Sequence, residues 1–255
     1  MALIAMDGFD KYGAANSNST AVAALLTAGE WTSASSATVQ IVAPLSATGQ
    51  ALLVGSGGTV TKTIPTVGRT LGGMRFSSSL ANVAGVQFLD GASNQCGICI
   101  NVAGTIAVRN AGYNTGTILG TSTASITANS VHYLEWDITF GNAAAYQVWL
   151  DGVSILSGTG DTTGTANNTT SGFTLVANAT AYTVDDLYVF DATGTTNNAV
   201  LLTSPRIETQ FPNADGAVQF ALGAGILGTS LSRSGGNGNN AANQLRVRPF
   251  VPAVN

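Results

Sequence analysis

The chain has 255 residues, enough for one large β domain or two small ones, and 45% of them are hydrophobic, ample for a core. Only 9% are charged, against roughly 25% in an ordinary globular protein, so Thr, Ser, Asn and Gly must carry the surface. Nine basic residues against thirteen acidic ones leave a net charge of −4 and no electrostatic footprint for nucleic acid. No apolar run approaches the ~20 residues that a membrane-spanning helix needs.

The N-terminus, Met-Ala-Leu-Ile-Ala-Met-Asp-Gly-Phe-Asp, lacks a basic region and meets Asp7 early, which does not suit a secretory leader. Assembly in the cytoplasm is expected, and the Asn-x-Ser/Thr triplets at Asn18, Asn168 and Asn178 then carry no glycosylation message. Short apolar or alternating runs follow, and they predict strands over 2–7, 38–43, 50–55, 59–64, 71–77, 85–89, 96–102, 105–110, 131–140, 144–150, 152–157, 171–177 and 182–190. Between them stand the turn signals Ser56-Gly57-Gly58, Asp90-Gly91, Ala103-Gly104 and Asp151-Gly152. Residues 19–28 read as one short helix with Gly29 as its stop. Many short strands at such spacing predict a sandwich or barrel.

Cys96 and Cys99 have C-x-x-C spacing but sit in a strand-like run, where residues three apart point to opposite faces. They read as two small buried hydrophobes, not as a zinc or redox pair. Residues 131–140 carry the main enzymatic suspicion. His132, Leu134, Trp136, Ile138 and Phe140 share one mostly apolar face, and Tyr133, Glu135, Asp137 and Thr139 share the other.

After about residue 212 the composition changes. Ser232-Arg-Ser-Gly-Gly-Asn-Gly-Asn-Asn-Ala-Ala-Asn is a linker by composition. It leads to Gln244-Leu-Arg-Val-Arg-Pro-Phe-Val-Pro-Ala-Val-Asn, which reads as an extended arm with Leu245 and Val247 on one face. Arg233, Arg246 and Arg248 suit a docking arm better than a nucleic-acid groove.

Three stretches together resemble a concanavalin A-like, laminin G-like jelly-roll sandwich. They are Asn101-Val-Ala-Gly-Thr-Ile-Ala-Val-Arg-Asn; Val131-His-Tyr-Leu-Glu-Trp-Asp-Ile with Tyr146-Gln-Val-Trp-Leu-Asp-Gly-Val; and Thr183-Val-Asp-Asp-Leu-Tyr-Val-Phe-Asp. Asp7-Gly-Phe-Asp is similar to the first strand of that superfamily. The continuation, Asp191-Ala-Thr-Gly-Thr-Thr-Asn-Asn, Pro205-Arg-Ile-Glu-Thr and Phe211-Pro-Asn-Ala-Asp-Gly, resembles a group of tailed-bacteriophage virion proteins built on this sandwich. The resemblance covers about residues 1–216 and implies an all-β, antiparallel sandwich domain there, with 217–255 as linker and docking arm.

The superfamily includes glucanases, lectins and structural modules, so function rests on residues. Glucanase members carry Glu-x-Asp-x-Glu on one strand; here Glu135-Trp-Asp137-Ile-Thr139 puts a threonine where the second glutamate belongs, and only Glu30 and Glu208 remain elsewhere. Glu135 and Asp137 then read as ordinary solvent-face residues. His132, the sole histidine, reads as a partly buried, hydrogen-bonded residue. Gly55-Ser-Gly-Gly lacks the lysine and helix of a phosphate loop. Calcium, which some laminin G-like modules hold at a rim, has candidates in Asp185, Asp186, Asp90 and Asp161, without a set of six to eight oxygens. No cofactor is therefore expected.

The expected function is non-enzymatic: a structural protein of the phage virion surface, decorating the capsid through subunit contacts. Its arm residues Leu245, Val247, Phe250 and Val251 would touch partners, namely the major capsid protein, tail components or further copies in a closed oligomer, for which the phage resemblance suggests a trimer. The alternative is a tail-fibre or receptor-binding module for host glycans, using Tyr113, Asn114 and Trp31 on exposed rim loops.

Overall fold

A computed structural model of the protein describes residues 2–13, 19–35, 37–81, 83–193, 199–202, 205–210 and 244–248. In chain order the first elements are β1 (Leu3–Asp7), α1 (Ser19–Gly29), β2 (Ser33–Ala34), β3 (Val39–Val42), β4 (Ala51–Val54), β5 (Thr59–Val67) and β6 (Arg69–Ser78). Next come β7 (Ala84–Asp90), β8 (Ser93–Ile100), β9 (Thr105–Asn110), β10 (Ile118–Ser125), β11 (Val131–Thr139), β12 (Ala144–Leu150) and β13 (Val153–Gly160). The last are β14 (Thr170–Ala177), β15 (Tyr182–Asp191), β16 (Arg206–Gln210) and β17 (Gln244–Arg248).

Two antiparallel sheets face each other as a β-sandwich. Sheet A has eight strands, in the order β13-β12-β11-β6-β15-β4-β3 with β1 alongside β15; sheet B has seven, β10-β9-β8-β7-β14-β5-β2. Strand alternation sends Leu134, Trp136, Ile138, Phe140, Met74, Phe76 and Val148 inward from sheet A. They meet Val86, Phe88, Ile98, Ile106, Val108, Phe173 and Leu175 from sheet B. The Phe88 ring stands edge-on to Trp136 at 6.0 Å and to Phe140 at 5.6 Å. Tyr182 crosses the core and donates its hydroxyl to the Gly85 carbonyl at 2.9 Å.

Both open sides are closed. The helix α1 buries Val22, Ala23 and Leu26 and packs on β2 and β3. On the opposite side β10 and β13 lie together, and the Tyr146 hydroxyl of β12 donates to the Leu119 carbonyl of β10 at 2.9 Å. The hairpin β12–β13 turns on Asp151 (φ 51°) and Gly152 (φ 79°), the two positive φ values of a type I′ turn. Each strand expected from 2–7 to 182–190 is present within a few residues at its ends, as is the helix. Three strands were not expected: β2, β10 and β16. Cys96 lies in the core and Cys99 is buried on the other face of sheet B; burial pushes the Cys99 thiol up to about 11.

The expected docking arm falls partly among the described residues. Residues 244–248 form β17, antiparallel to β16, with Ile207 opposite Val247, Thr209 opposite Leu245 and Glu208 opposite Arg246. Phe250, Val251 and the domain boundary near residue 216 lie outside the described residues.

Consecutive glycines at the middle of sheet A set its packing. On the inner face a Cβ at Gly72 would fall on the six-membered ring of Trp136. On the outer face one at Gly73 would meet the Tyr188 ring at 2.8 Å and the Glu135 side chain at 2.9 Å. The Gly72→Ala variant should lose about 1–3 kcal/mol through overpacking. Urea denaturation would read this as a lower midpoint at unchanged slope.

Candidate functional site

The outer face of sheet A carries the residues of chemical interest, because alternation on β11 that buries Leu134, Trp136 and Ile138 sends Tyr133, Glu135 and Asp137 the other way. The ladder sets two rows across this face. Phe190, Leu71, Asp137 and Gln147 stand in register, and beside them Tyr188, Gly73, Glu135, Trp149 and Ser154.

One half of the face is closed. Segments 199–202 and 205–207 lie over it, with Ile207 buried against Tyr133 and Tyr188 together with Leu201. Glu135 is 0% exposed, which corrects its reading as a solvent-face residue. The cover is made by polar contacts as well. Glu135 Oε1 accepts the Tyr188 hydroxyl at 2.6 Å and the Leu202 N–H at 3.0 Å, while its Oε2 is buried without a partner. The Leu201 N–H donates to the Tyr188 hydroxyl oxygen at 3.2 Å. Burial raises the Glu135 carboxyl above the usual range.

Asp185 and Asp186 anchor the edge of this cover. β15 bulges there: Asp186 has φ 49° and the register on β6 slips between Asp185 and Tyr188. Asp186 accepts from Arg75 Nε at 2.8 Å and from the Ile207 N–H at 2.7 Å. Asp185 accepts from the N–H groups of Leu45 at 3.1 Å and Asp186 at 2.8 Å. Their oxygens thus serve as ties between segments. Among the described residues no group of three or more His, Cys, Asp or Glu is placed to hold a metal ion.

The other half of the face is open. Asp137 receives both Nε and Nη2 of Arg69, at 2.7 and 2.5 Å. Beside this fork lie the half-buried Gln147, whose amide donates to Ser154 at 3.0 Å, and the half-buried Trp149. A part-exposed indole with a carboxylate, an amide and hydroxyls around it is a set that stacks on and hydrogen-bonds to a polyhydroxylated ring. Trp149 is not among the expected site residues, although the inward alternation of Tyr146, Val148 and Leu150 places it on the opposite face.

Neither carboxyl of β11 stands free. Glu135 is sealed, Asp137 is doubly bonded to Arg69, and Thr139 stands where a further acid would act. His132 accepts the Thr127 N–H at Nε2, which leaves Nδ1–H to donate to Asp151 Oδ2 at 2.8 Å, and its ring packs on Phe76, as a hydrogen-bonded, partly buried residue should.

The residues expected at a glycan rim are dispersed. Trp31 is not on an exposed loop: it is 4% exposed, stacks on Phe9 at 6.0 Å and meets Phe173 edge-on at 5.8 Å. Its Nε1 donates to Asp7 Oδ2 at 2.9 Å, which also accepts the Tyr12 hydroxyl at 2.6 Å. That buried acceptor is why a tryptophan can enter the core there. Tyr113 and Asn114 lie in the 111–117 loop on sheet B and are half-buried. The Tyr113 N–H donates to Gln87 Oε1 at 2.6 Å and its backbone covers Gly97. Among the described partner candidates, Leu245 and Val247 are in β17.

No family model matches the chain, and no curated protein matches its sequence. Solved structures do resemble it. Alginate lyase Aly36B is 12% identical, with a TM-score of 0.50, over 72% of this chain and 95% of that one. Endo-β-1,4-glucuronan lyase from the fungus Trichoderma reesei is 16% identical, with a TM-score of 0.46, over 60% and 87%. The receptor-binding domain of botulinum neurotoxin mosaic serotype C/D is 10% identical, with a TM-score of 0.44, over 62% and 42%. The likeness to the alginate lyase is one of fold: a β-sandwich.

Burial, reinforced by the charge of Asp186, pushes the Asp185 carboxyl up to about 8 from its ordinary 3.8. The folded state therefore binds this proton more tightly than the unfolded chain does. The contribution is fully present below pH ~4 and is lost as pH rises towards about 8. Denaturation across pH 4–8 should show Asp185→Asn losing less stability with rising pH than the parent, whatever its absolute stability.

Proposed function

We propose that the protein is a non-catalytic surface module that binds carbohydrate on the open half of the sheet A outer face. The observation that carries this reading is the division of that face: the acids that could act are sealed or paired, while Trp149, Gln147 and the Arg69–Asp137 fork stay accessible. The fold it shares with an alginate lyase supports a sandwich that can accommodate a polysaccharide, without supporting cleavage. With the fork internally neutralised, the face suits neutral or weakly charged glycans. A glycan array followed by calorimetry should find a ligand whose affinity falls at least ~10-fold in Trp149→Ala, the loss of a sugar-ring stacking contact of about 1.4 kcal/mol or more. Unchanged binding in Trp149→Ala with loss in Tyr113→Ala would move the site to the 111–117 loop.

A second reading concerns where the module is mounted. The resemblance of residues 1–216 to tailed-phage virion proteins and the return of the chain as β17 both favour attachment to a virion surface, as capsid decoration or on the tail. Low charge suits close packing among coat subunits. A chain lacking 244–255 should fail to co-sediment with particles that retain the full-length protein; equal retention would remove the attachment mechanism.

A further inference from the structure

We propose that β17 is exchanged between copies, so that the strand of one copy completes the ladder on β16 of the next. The inference deepens the attachment reading above and rests on it only in using the same strand; its partner is a second copy of this chain.

The acceptor strand is fixed to its own body. Ile207 is buried against Tyr133 and Tyr188, its N–H is held by Asp186 at 2.7 Å, and its carbonyl occupies the space a side chain at Gly8 would need. The donor differs. β17 joins β16 through a ladder from Arg206–Arg248 to Gln210–Gln244, and residues 211–243, a connection of 33 residues, separate the two strands. Consecutive strands paired as a hairpin are ordinarily joined by two to five residues. A connection this long gives the internal pairing only a weak advantage, because closure entropy grows with loop length. It could reach at most about 110 Å, beyond the body of one domain.

Exchange keeps every ladder pair, including Ile207 opposite Val247 and Glu208 opposite Arg246, so the two arrangements differ little in contact energy. The balance then follows the effective concentration of the internal strand against that of neighbouring copies. In an assembly of many copies the second term rises to rival the first. A ring of exchanges would close an oligomer; an open series would make a filament.

The test uses the full-length chain carrying either Thr209→Cys or Leu245→Cys. These positions are ladder partners, and the native Cys96 and Cys99 are buried. The two variants are mixed, equilibrated and oxidised, with the Thr209→Cys/Leu245→Cys double variant alongside. Exchange predicts a covalent heterodimer of the two single variants that rises with protein concentration towards the ~mM range of tethered segments. It also predicts covalent multimers of the double variant. A double variant that forms only an internal disulfide at every concentration, with no heterodimer in the mixture, overturns the proposal. So does the absence of both crosslinks, since the ladder itself would then be missing. Failure here with loss of particle retention in the truncated chain would mean that the strand docks on a different protein.

Discussion

The structure depends on the space that Gly72 and Gly73 leave in the middle strand of sheet A. Inward, the missing Cβ admits the Trp136 indole, which in turn meets Phe88 of sheet B and fixes the separation of the layers. Outward, it lets Tyr188 lean across β6 to reach Glu135. One dipeptide therefore joins core packing to the arrangement of the outer face. A side chain at either position would disturb one surface and, through the shared strand, the other.

The division of the outer face follows from that contact. Once Tyr188 and Glu135 meet, their remaining hydrogen-bonding capacity holds the backbone of Leu201 and Leu202, while Asp186 holds Ile207. Ile207 then fills the apolar gap above the two tyrosines. A buried carboxyl is costly unless satisfied; here Oε1 takes the Tyr188 hydroxyl and the Leu202 N–H of the covering segment, while Oε2 is buried without a partner. The same carboxylate that would suggest hydrolysis is thereby used to position a piece of chain. The open half keeps the neighbouring indole and fork available for a ligand.

Much of this was legible in the residues. Period-2 alternation and Asx-Gly turns placed the expected strands, and Leu134, Trp136 and Ile138 were correctly set inward. β10 was missed because Ile118–Ser125 is a largely exposed edge strand of Thr, Ser and Gly with little apolar alternation. β16 has one apolar residue, Ile207, in Arg206–Gln210. The burial of Glu135 was not legible, since its cover comes from residues almost seventy positions later. Trp31 misled for a related reason: the acceptor that draws it inward, Asp7, is twenty-four residues earlier. Trp149 is legible from parity alone, since Tyr146, Val148 and Leu150 alternate inward around it.

The central claim is that this face binds sugar without transforming it. The chain has three tryptophans, of which Trp31 and Trp136 are buried and Trp149 is half-exposed. A ¹⁵N-labelled sample titrated with a panel of oligosaccharides would therefore report the site through the indole N–H resonances, while the carbohydrate signals report any chemical change. The account predicts a shift of the Trp149 resonance alone, with the oligosaccharide intact after prolonged incubation. Cleavage of the oligosaccharide, or binding that leaves Trp149 unmoved, would contradict it.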